Sequence, residues 1–457
     1  MPVCEQPSEI RFAPREDGLS WRANFVWALA GNIIYAACQW GMIVALAKLG
    51  NSFMVGQFSL GLAIATPVLM FTNLQLRSVQ ATDAKRRRSF GDYLGLRVIT
   101  TLMALAAIAT ITSLGTYERD TAIVILAVAL MKAIESFSDI FYGLFQLNDH
   151  LDQVGKSMMI RGIFSVVGLG AALYLLRNLV AAIFVLVAVW SLVLIFFDAH
   201  RGQYFANPPS TPGSVSRTGW RQVLPEFHIA GQWKLAGVAL PLGIVMTLFS
   251  LNLNMPRYFI HVRFGEHQLG IFSAMAYTTV IVATFADALG HSTIPRMSRY
   301  YANGKITEFC IALLKLVALG GLFGLTGLVV VRMMGARLLT ILFSAEYAPH
   351  IEVFLWLVVA AVISCIACLV NYAVTSAQYF RIQVPIFAVV VAVNTLACMW
   401  WVPSRGLTGA ALALVTAALV HLMLVTSTFV YVLYSCPKKT LELEPGRVYG
   451  DNWEAGI

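Results

Sequence analysis

Long apolar stretches separated by short polar segments run along nearly the whole chain. A helix that crosses a membrane needs about 20 predominantly apolar residues, and this length divides the sequence into about twelve candidate spans. Six precede a central polar segment, at 23–47, 54–76, 93–114, 121–146, 158–176 and 179–198, and six follow it, at 235–255, 267–290, 308–331, 351–375, 383–402 and 407–434. The pattern predicts an all-α polytopic membrane protein.

Polar residues collect in three segments that divide the chain. They are an N-terminal segment at 1–22, a linker rich in Pro, Ser and Gly at 199–233, and a C-terminal tail at 435–457. Such a composition is typical of linkers. We therefore expect an N-terminal six-helix bundle at 23–198 and a C-terminal six-helix bundle at 234–434, with the three polar segments in the cytoplasm.

The composition supports a membrane protein and a definite orientation. Hydrophobic residues make up 58% of the 457 residues and charged residues only 12%, against about 45–50% and about 25% in soluble domains. This balance excludes a soluble or nucleic-acid-binding protein. Most of the Lys and Arg residues, including Lys85–Arg88, fall on the cytoplasmic side when the N-terminus is placed there. Both termini are then cytoplasmic, and the net charge of +9 reflects this orientation.

Motifs for covalent chemistry are not found in the sequence. The seven cysteines include a CxxC spacing at Cys365 and Cys368, but this pair lies in an apolar helix and is interpreted as packing. The histidines lack metal-ligand spacing, and no nucleotide-binding or nucleophile motif occurs. We therefore expect no metal, no cofactor and no enzymatic activity.

Two short sequence repeats suggest that the halves are related. Gly56-Gln57-Phe58-Ser59 matches Gly270-Ile271-Phe272-Ser273 at an offset of 214 residues, and each follows the first span of its half. An even number of spans per half gives parallel repeats related by an axis along the membrane normal. The two bundles are therefore predicted to be related by a pseudo-two-fold axis.

Ionisable residues inside the fourth span are costly to place in a membrane and must face protein or water. Lys132, Glu135 and Asp139 lie on one helical face. Lys132 and Glu135 can pair locally, whereas Asp139 needs another partner, for which Arg161 is the candidate. The group is either a cation- or proton-coupling site or a buried ion-pair network that orients helices.

Weaker polar stripes occur on four further helices. They are Asn32, Tyr35 and Gln39; Thr247, Ser250 and Asn254; Asn73, Gln75 and Arg77; and Thr284, Asp287 and His291. A single stripe often serves hydrogen bonding between helices. Stripes at corresponding places in both halves predict a hydrated central cavity, with Asp287 as a further coupling or ion-pair residue.

Several short motifs resemble those of a known family. They are Thr72–Arg77, Phe90–Tyr93, Asn254–Phe259, Ile294–Ser298 with Tyr300-Tyr301, and Leu407–Ala411. In these motifs the chain resembles the polysaccharide transport family of the multidrug/oligosaccharidyl-lipid/polysaccharide (MOP) flippase superfamily. The resemblance covers most of the chain, and the motifs are degenerate.

The resemblance implies a flippase of the bacterial inner membrane that moves undecaprenyl-pyrophosphate-linked oligosaccharide by alternating access, for O-antigen, capsule or exopolysaccharide. It implies that the two bundles are arranged in a V shape, as in MATE transporters. The implied partners are membrane lipids, a polysaccharide polymerase and export machinery. The substrate-binding set is then Arg77, Arg257, Asn73, Gln75, Asn32, Gln39 and Asn254. The two arginines match family motifs and would contact the head group, or else snorkel to the interface.

Two other functions stay open at this point. A cation-coupled drug or small-molecule antiporter of the same superfamily would concentrate acidic residues in the first bundle, where this chain also has Arg77 and Lys132. A polytopic enzyme, such as a polysaccharide polymerase, would carry a sizeable outer loop with His, Arg or Asp, and the sequence predicts none.

Overall fold

The protein is built from helices joined by short turns. The computed structural model describes residues 21–83, 86, 88–206, 219–379 and 382–434, and no strand occurs among them. In chain order the helices are α1 (Trp21–Leu49), α2 (Ser52–Asn73), α3 (Leu76–Thr82), α4 (Phe90–Leu114), α5 (Arg119–Leu147), α6 (Leu151–Leu176), α7 (Leu179–Val193), α8 (His200–Gly202), α9 (Ile229–Thr278), α10 (Val280–Ala302), α11 (Ile306–Leu342), α12 (Ile351–Ser376) and α13 (Gln383–Tyr434). A π-helical turn, Leu194–Ala199, joins α7 to α8, and 3₁₀ turns lie at Trp220–Val223 and Ala345–His350. Nearly all of the N-terminal segment, the middle of the linker and the C-terminal tail lie outside the described residues.

Ten helical stretches in the described part of the chain are long and apolar enough to cross a membrane. Many of their large apolar side chains are exposed, as expected for surfaces that face lipid; on α11 these include Leu322 and Met333. The chain is therefore a multi-pass membrane protein. Two of the ten stretches, Gly231–Ala302 and Gln383–Tyr434, each include two of the spans predicted from sequence.

A glycine interrupts each of these two stretches. Gly265 in α9 has φ 75° and Gly406 in α13 has φ 58°, and neither has helical backbone angles. Glycine adopts such positive φ values without the steric cost of a Cβ. The helix that contains the predicted seventh span, 235–255, continues to Gly265. Arg257 consequently lies inside this helix.

Local sequence accounts for several helix starts. The Asn51 side chain accepts a hydrogen bond from the Met54 N–H at 2.8 Å and caps α2. Ser89 and Asp92 form a reciprocal capping box at the start of α4. Such caps satisfy backbone N–H groups that the first helical turn leaves unpaired. They fix where α1 turns into α2, and where α4 begins.

Helices α2 and α9 cross in close backbone contact. A Cβ placed on Gly56 would lie 1.8 Å from the Glu266 carbonyl oxygen, and one on Gly270 would lie 1.7 Å from the Ser52 carbonyl oxygen. Only residues without a Cβ allow this separation. The crossing lies beside the α1–α2 turn, and we call this side of the molecule the Asn51 end.

Candidate functional site

A cavity of about 490 Å³ opens between α1 and α10. Polar side chains line it from both helices: Asn32, Tyr35 and Gln39 from α1, and Thr284, Asp287 and His291 from α10. Two of the four polar stripes predicted from sequence therefore meet. The stripes that contain Arg77 and Asn254 do not line this cavity, and no Lys or Arg is among the described residues that do.

The cavity lies away from the Asn51 end. The lining residue of α1 that lies nearest to Asn51 is Trp40, 11 positions before it in the chain, so the cavity begins roughly 17 Å from Asn51 along the helix axis at 1.5 Å per residue. The close crossing of Gly56 and Gly270, beside Asn51, is therefore separate from the cavity lining. Its lining on α1 extends from Trp40 back to Ala28, towards the end where α1 begins.

Tyr35 connects the cavity wall to a partly buried ion pair. Its hydroxyl donates a hydrogen bond to Glu135 Oε1 at 2.7 Å. Glu135 in turn forms the predicted ion pair with Lys132, one turn earlier on α5. The pair fixes the orientation of a tyrosine that faces the cavity.

Arg161 has a different partner from the one expected. Its guanidinium lies 3.1 Å from the Asp198 carboxylate, with the two side chains 1% and 0% exposed. The prediction that Arg161 neutralises Asp139 is therefore wrong. Asp198 lies in the π-helical turn Leu194–Ala199, a geometry that occurs often at functional positions. Ser157 donates a second hydrogen bond to Asp198 at 2.6 Å.

Asp139 is shared between two arginines. Arg77 and Arg97 each lie 3.5 Å from a different oxygen of its carboxylate. Arg97 is fully buried and also donates to the Asn73 side chain. Arg77 is one third exposed and lies over the Tyr142 ring, 5.4 Å from its centre. The cluster carries one positive charge more than Asp139 neutralises.

The end of α2 explains why Arg77 can reach this cluster. Leu74 and Gln75 both have left-handed backbone angles, with φ 52° and 51°, so α2 stops and α3 starts in a new direction. The Gln75 side chain accepts a hydrogen bond from Ser78 at 3.3 Å. Gln75 is thus engaged within its own turn.

Arg257 lies behind the cavity wall contributed by the second half of the chain. It donates to Asn254 Oδ1 at 2.6 Å, and its guanidinium lies 5.1 Å from the centre of the Tyr277 ring. Tyr277 itself lines the cavity. Two tyrosines, Tyr35 and Tyr277, are therefore each supported from behind by charged residues.

Asp287 is an exposed carboxylate on α10 that faces the cavity. Tyr372 of α12 donates to it at 2.9 Å, and the same hydroxyl lies 3.3 Å from His291 Nε2. Among the described residues no Lys, Arg or His forms an ion pair with Asp287. It is the carboxylate best placed to meet a cation that enters the cavity.

Sequence reasoning missed several residues of these networks, among them Arg97, Asp198 and Tyr372. By position, Arg97 falls at a cytoplasmic span end and Asp198 at the last residue of a span. Charged residues at such ends usually face water, so position along the chain offered no signal of burial. Tyr372 lies in an apolar span, and only the packing of α10 against α12 brings it to Asp287.

One group of potential metal ligands occurs among the described residues. The ligand atoms of Asp92, Glu226 and His228 lie within 4.8 Å of one another. They are already paired: His228 Nδ1 is 3.0 Å from Asp92, and Ser89 donates to Glu226 at 2.6 Å. The group lies at the positive N-terminal end of α4, which disfavours a cation. We interpret it as a contact that attaches the end of the linker to α4.

Comparison with known proteins agrees with this fold. No family model matches the chain. An inward-facing MATE-family multidrug resistance transporter of the MOP superfamily superimposes with a TM-score of 0.69 at 12% identity, covering 89% of this chain and 99% of its own. The lipid II flippase MurJ, in an inward closed conformation, gives 0.66 at 9% identity, covering 90% of each chain. The chain therefore has the same fold as these two proteins.

A similarity in sequence extends the comparison. The capsular polysaccharide biosynthesis protein CapF of Staphylococcus aureus is 27% identical over 329 residues, which are 72% of this chain and 78% of CapF. The similarity in sequence therefore covers most of both proteins.

Proposed function

We propose that the protein is a flippase that moves undecaprenyl-pyrophosphate-linked oligosaccharide repeat units across the bacterial inner membrane, without covalent chemistry. The observation that carries the proposal is the similarity to CapF, named for capsular polysaccharide biosynthesis, in a chain with the fold of MurJ and MATE transporters. The product would serve O-antigen, capsule or exopolysaccharide assembly, alongside a polymerase and export machinery.

The proposed architecture is twelve crossings in two six-helix bundles. A continuous helix of about 50 residues would be roughly 75 Å long, more than twice the thickness of the hydrocarbon core. We therefore assign two crossings to each stretch broken by Gly265 or Gly406. With both termini cytoplasmic, the Asn51 end is the outer end, and the cavity opens to the cytoplasm.

The crossing of α2 and α9 supports a pseudo-two-fold relation between the bundles. At an offset of 214 residues, Ser52 corresponds to Glu266 and Gly56 to Gly270. The two close contacts, Gly56 with Glu266 and Gly270 with Ser52, are exchanged by that correspondence. Contacts of residue i with j and of j with i are the mark of a two-fold interface.

The cavity chemistry suits a glycan. The amides of Asn32 and Gln39 and the hydroxyl of Thr284 can bond sugar hydroxyls, while the rings of Tyr35 and Tyr277 offer flat apolar faces. In this proposal the remaining predicted residues act around the cavity. Asn73, Gln75, Arg77, Asn254 and Arg257 stay candidate contacts of the pyrophosphate, although none of them lines the cavity in this conformation. Lys132, Glu135, Asp139 and Asp287 would serve coupling or ion pairing.

Deletion of the gene from its source bacterium tests the function. We expect lipid-linked repeat units to accumulate on the cytoplasmic leaflet and surface polysaccharide to fall to background, measured by extraction of the lipid-linked pool and by surface labelling. Expression of the intact chain from a plasmid should restore both. Normal pools and normal surface polysaccharide in the deletion strain would contradict the proposal.

One observation favours a second candidate, a cation-coupled antiporter. Asp287 faces the cavity without an ion-pair partner among the described residues, and the MATE-family transporter aligns with almost its entire length. Unchanged lipid-linked pools together with loss of cation-dependent dye efflux in the deletion strain would favour this function over the flippase.

Substitution of the two arginines tests the proposed head-group contacts. Charge-assisted hydrogen bonds to a phosphate contribute about 1.5–3 kcal/mol each, so Arg77→Ala and Arg257→Ala should each lower restoration of surface polysaccharide by about tenfold or more. The control is Arg263→Ala, which removes an exposed arginine from the same helix as Arg257. Folded protein is measured by size-exclusion chromatography. Full restoration of surface polysaccharide by both variants would indicate that the two arginines do not contact the head group and have a structural role.

A further inference from the structure

The Asn51 end is held by polar contacts in addition to the glycine crossing. Ser52, at the start of α2, donates to Glu346 Oε1 at 2.9 Å. Glu346 lies in the 3₁₀ turn between α11 and α12, and His267 Nε2 approaches the same oxygen at 2.6 Å. One carboxylate of the second half of the chain thus binds a hydroxyl of the first half.

A second contact repeats this arrangement on the other side of the crossing. Thr121, at the start of α5, donates to Glu266 Oε1 at 3.3 Å and accepts from the Gln57 amide at 2.9 Å. His261 lies 3.9 Å from the same Glu266 oxygen and stacks on Tyr117. Again a glutamate of the second half, with a histidine beside it, binds a hydroxyl of the first half.

We propose that these four residues, Ser52, Thr121, Glu266 and Glu346, form a clasp that holds the Asn51 end closed while the cavity is open at the other end. The inference rests on the proposed function only in assuming that the protein alternates between two open states. Its consequence is that the charge on the two glutamates sets the balance between those states. The clasp is separate from the cavity, so its residues are not expected to contact substrate.

The burial pattern fits a contact that forms and breaks. Ser52 and Thr121 are 2% and 0% exposed, so their hydroxyls would lack a partner if the glutamates moved away within a closed structure. Glu346 is 40% exposed, and water can solvate its carboxylate as soon as the contact opens. When the Asn51 end opens, water can therefore bond both the donors and the acceptors, and none of them is left buried without a partner.

Hydrogen–deuterium exchange on the full chain in lipid nanodiscs tests the clasp without a substrate. Glu266→Gln and Glu346→Gln keep the side-chain shape but remove the charge, and a neutral acceptor forms a weaker hydrogen bond. We expect exchange at 52–59 to accelerate by about tenfold and exchange at 28–40, on the cavity side, to slow. The control is Glu118→Gln at the same end, since Glu118 is exposed and makes no capping bond.

The exchange rates of the two segments, 52–59 and 28–40, must be compared to test the clasp. Faster exchange at the Asn51 end with no protection at 28–40 would indicate local fraying and overturn the proposal, as would no change in either segment. If the glutamine variants fail to fold, Ser52→Ala removes a donor from the other half and should give the same opposed changes. Because no substrate enters the measurement, a negative result here leaves the flippase proposal standing, and normal lipid-linked pools would leave the clasp standing.

Discussion

Replacing Asp198 with asparagine should remove most of the folded protein. The substitution removes the carboxylate that forms an ion pair with Arg161, a residue that is only 1% exposed. Breaking one partner of a buried pair costs about 3–5 kcal/mol, a large part of the roughly 5–15 kcal/mol that stabilises a typical protein. The measurement is the thermal unfolding midpoint in detergent, with the folded yield from size-exclusion chromatography.

Two further variants isolate the cause. Lys156→Met breaks the pair of Lys156, which is 39% exposed, with Asp152, which is 4% exposed. Asp152 keeps the Gln153 amide as a hydrogen-bond donor, so the expected loss of stability is smaller than at Asp198. The double variant Arg161→Met with Asp198→Leu removes both buried charges and should recover much of the lost stability. An Asp198→Asn protein as stable as the parent would show that Arg161 has another neutralising partner.

Alanine at either glycine of the α2–α9 crossing should destabilise the protein severely and by similar amounts. The new Cβ would lie 1.8 Å from a carbonyl oxygen at Gly56 and 1.7 Å from one at Gly270. Overpacking costs about 1–3 kcal/mol even where side chains can yield, and here the obstacle is main chain, so a larger loss is expected. The readout is again the unfolding midpoint.

A control for helix propensity comes from a different glycine. A Cβ added to Gly327 in α11 would have no atom of another residue's side chain or of a facing helix within 4 Å, and alanine there should raise helix stability by about 0.5–1 kcal/mol. A clear loss at Gly56 but not at Gly270 would contradict the two-fold correspondence between the halves, even if the crossing itself were real.

Sequence patterns predicted much of the fold because membrane helices carry their signal locally. Each of the ten long apolar stretches in the described part of the chain overlaps at least one span predicted from apolar length. The matched tetrapeptides indicated two stretches that the structure brings together at Gly56 and Gly270. Helix ends were less accurate: α9 continues past residue 255, since an apolar count does not detect a break that depends on the φ of Gly265. The sequence near the end of a span contains similar polar residues whether the helix ends there or continues.

The candidate site was only partly predictable. The Lys132–Glu135 pair was found because both residues lie on one helix, where spacing fixes their distance. The predicted partner of Asp139 was wrong, because Arg77, Arg97 and Arg161 are all within plausible reach in sequence terms. Which arginine meets which carboxylate depends on the rotation of α4 and α6 and on the π-helical turn at Asp198. The residue pattern of a single helix does not determine the rotation of its neighbours or the position of such a turn.

The glycine crossing also has a consequence for genetic suppression. Where a new methyl group meets a side chain, as Gly324 meets Val362, trimming that neighbour to alanine offers a second-site rescue. At Gly56 and Gly270 the nearest atoms of the facing helix are backbone atoms, which no substitution can shorten. A screen for revertants of a Gly56 or Gly270 variant should therefore recover reversions at the same codon, and few compensating changes in the helix opposite.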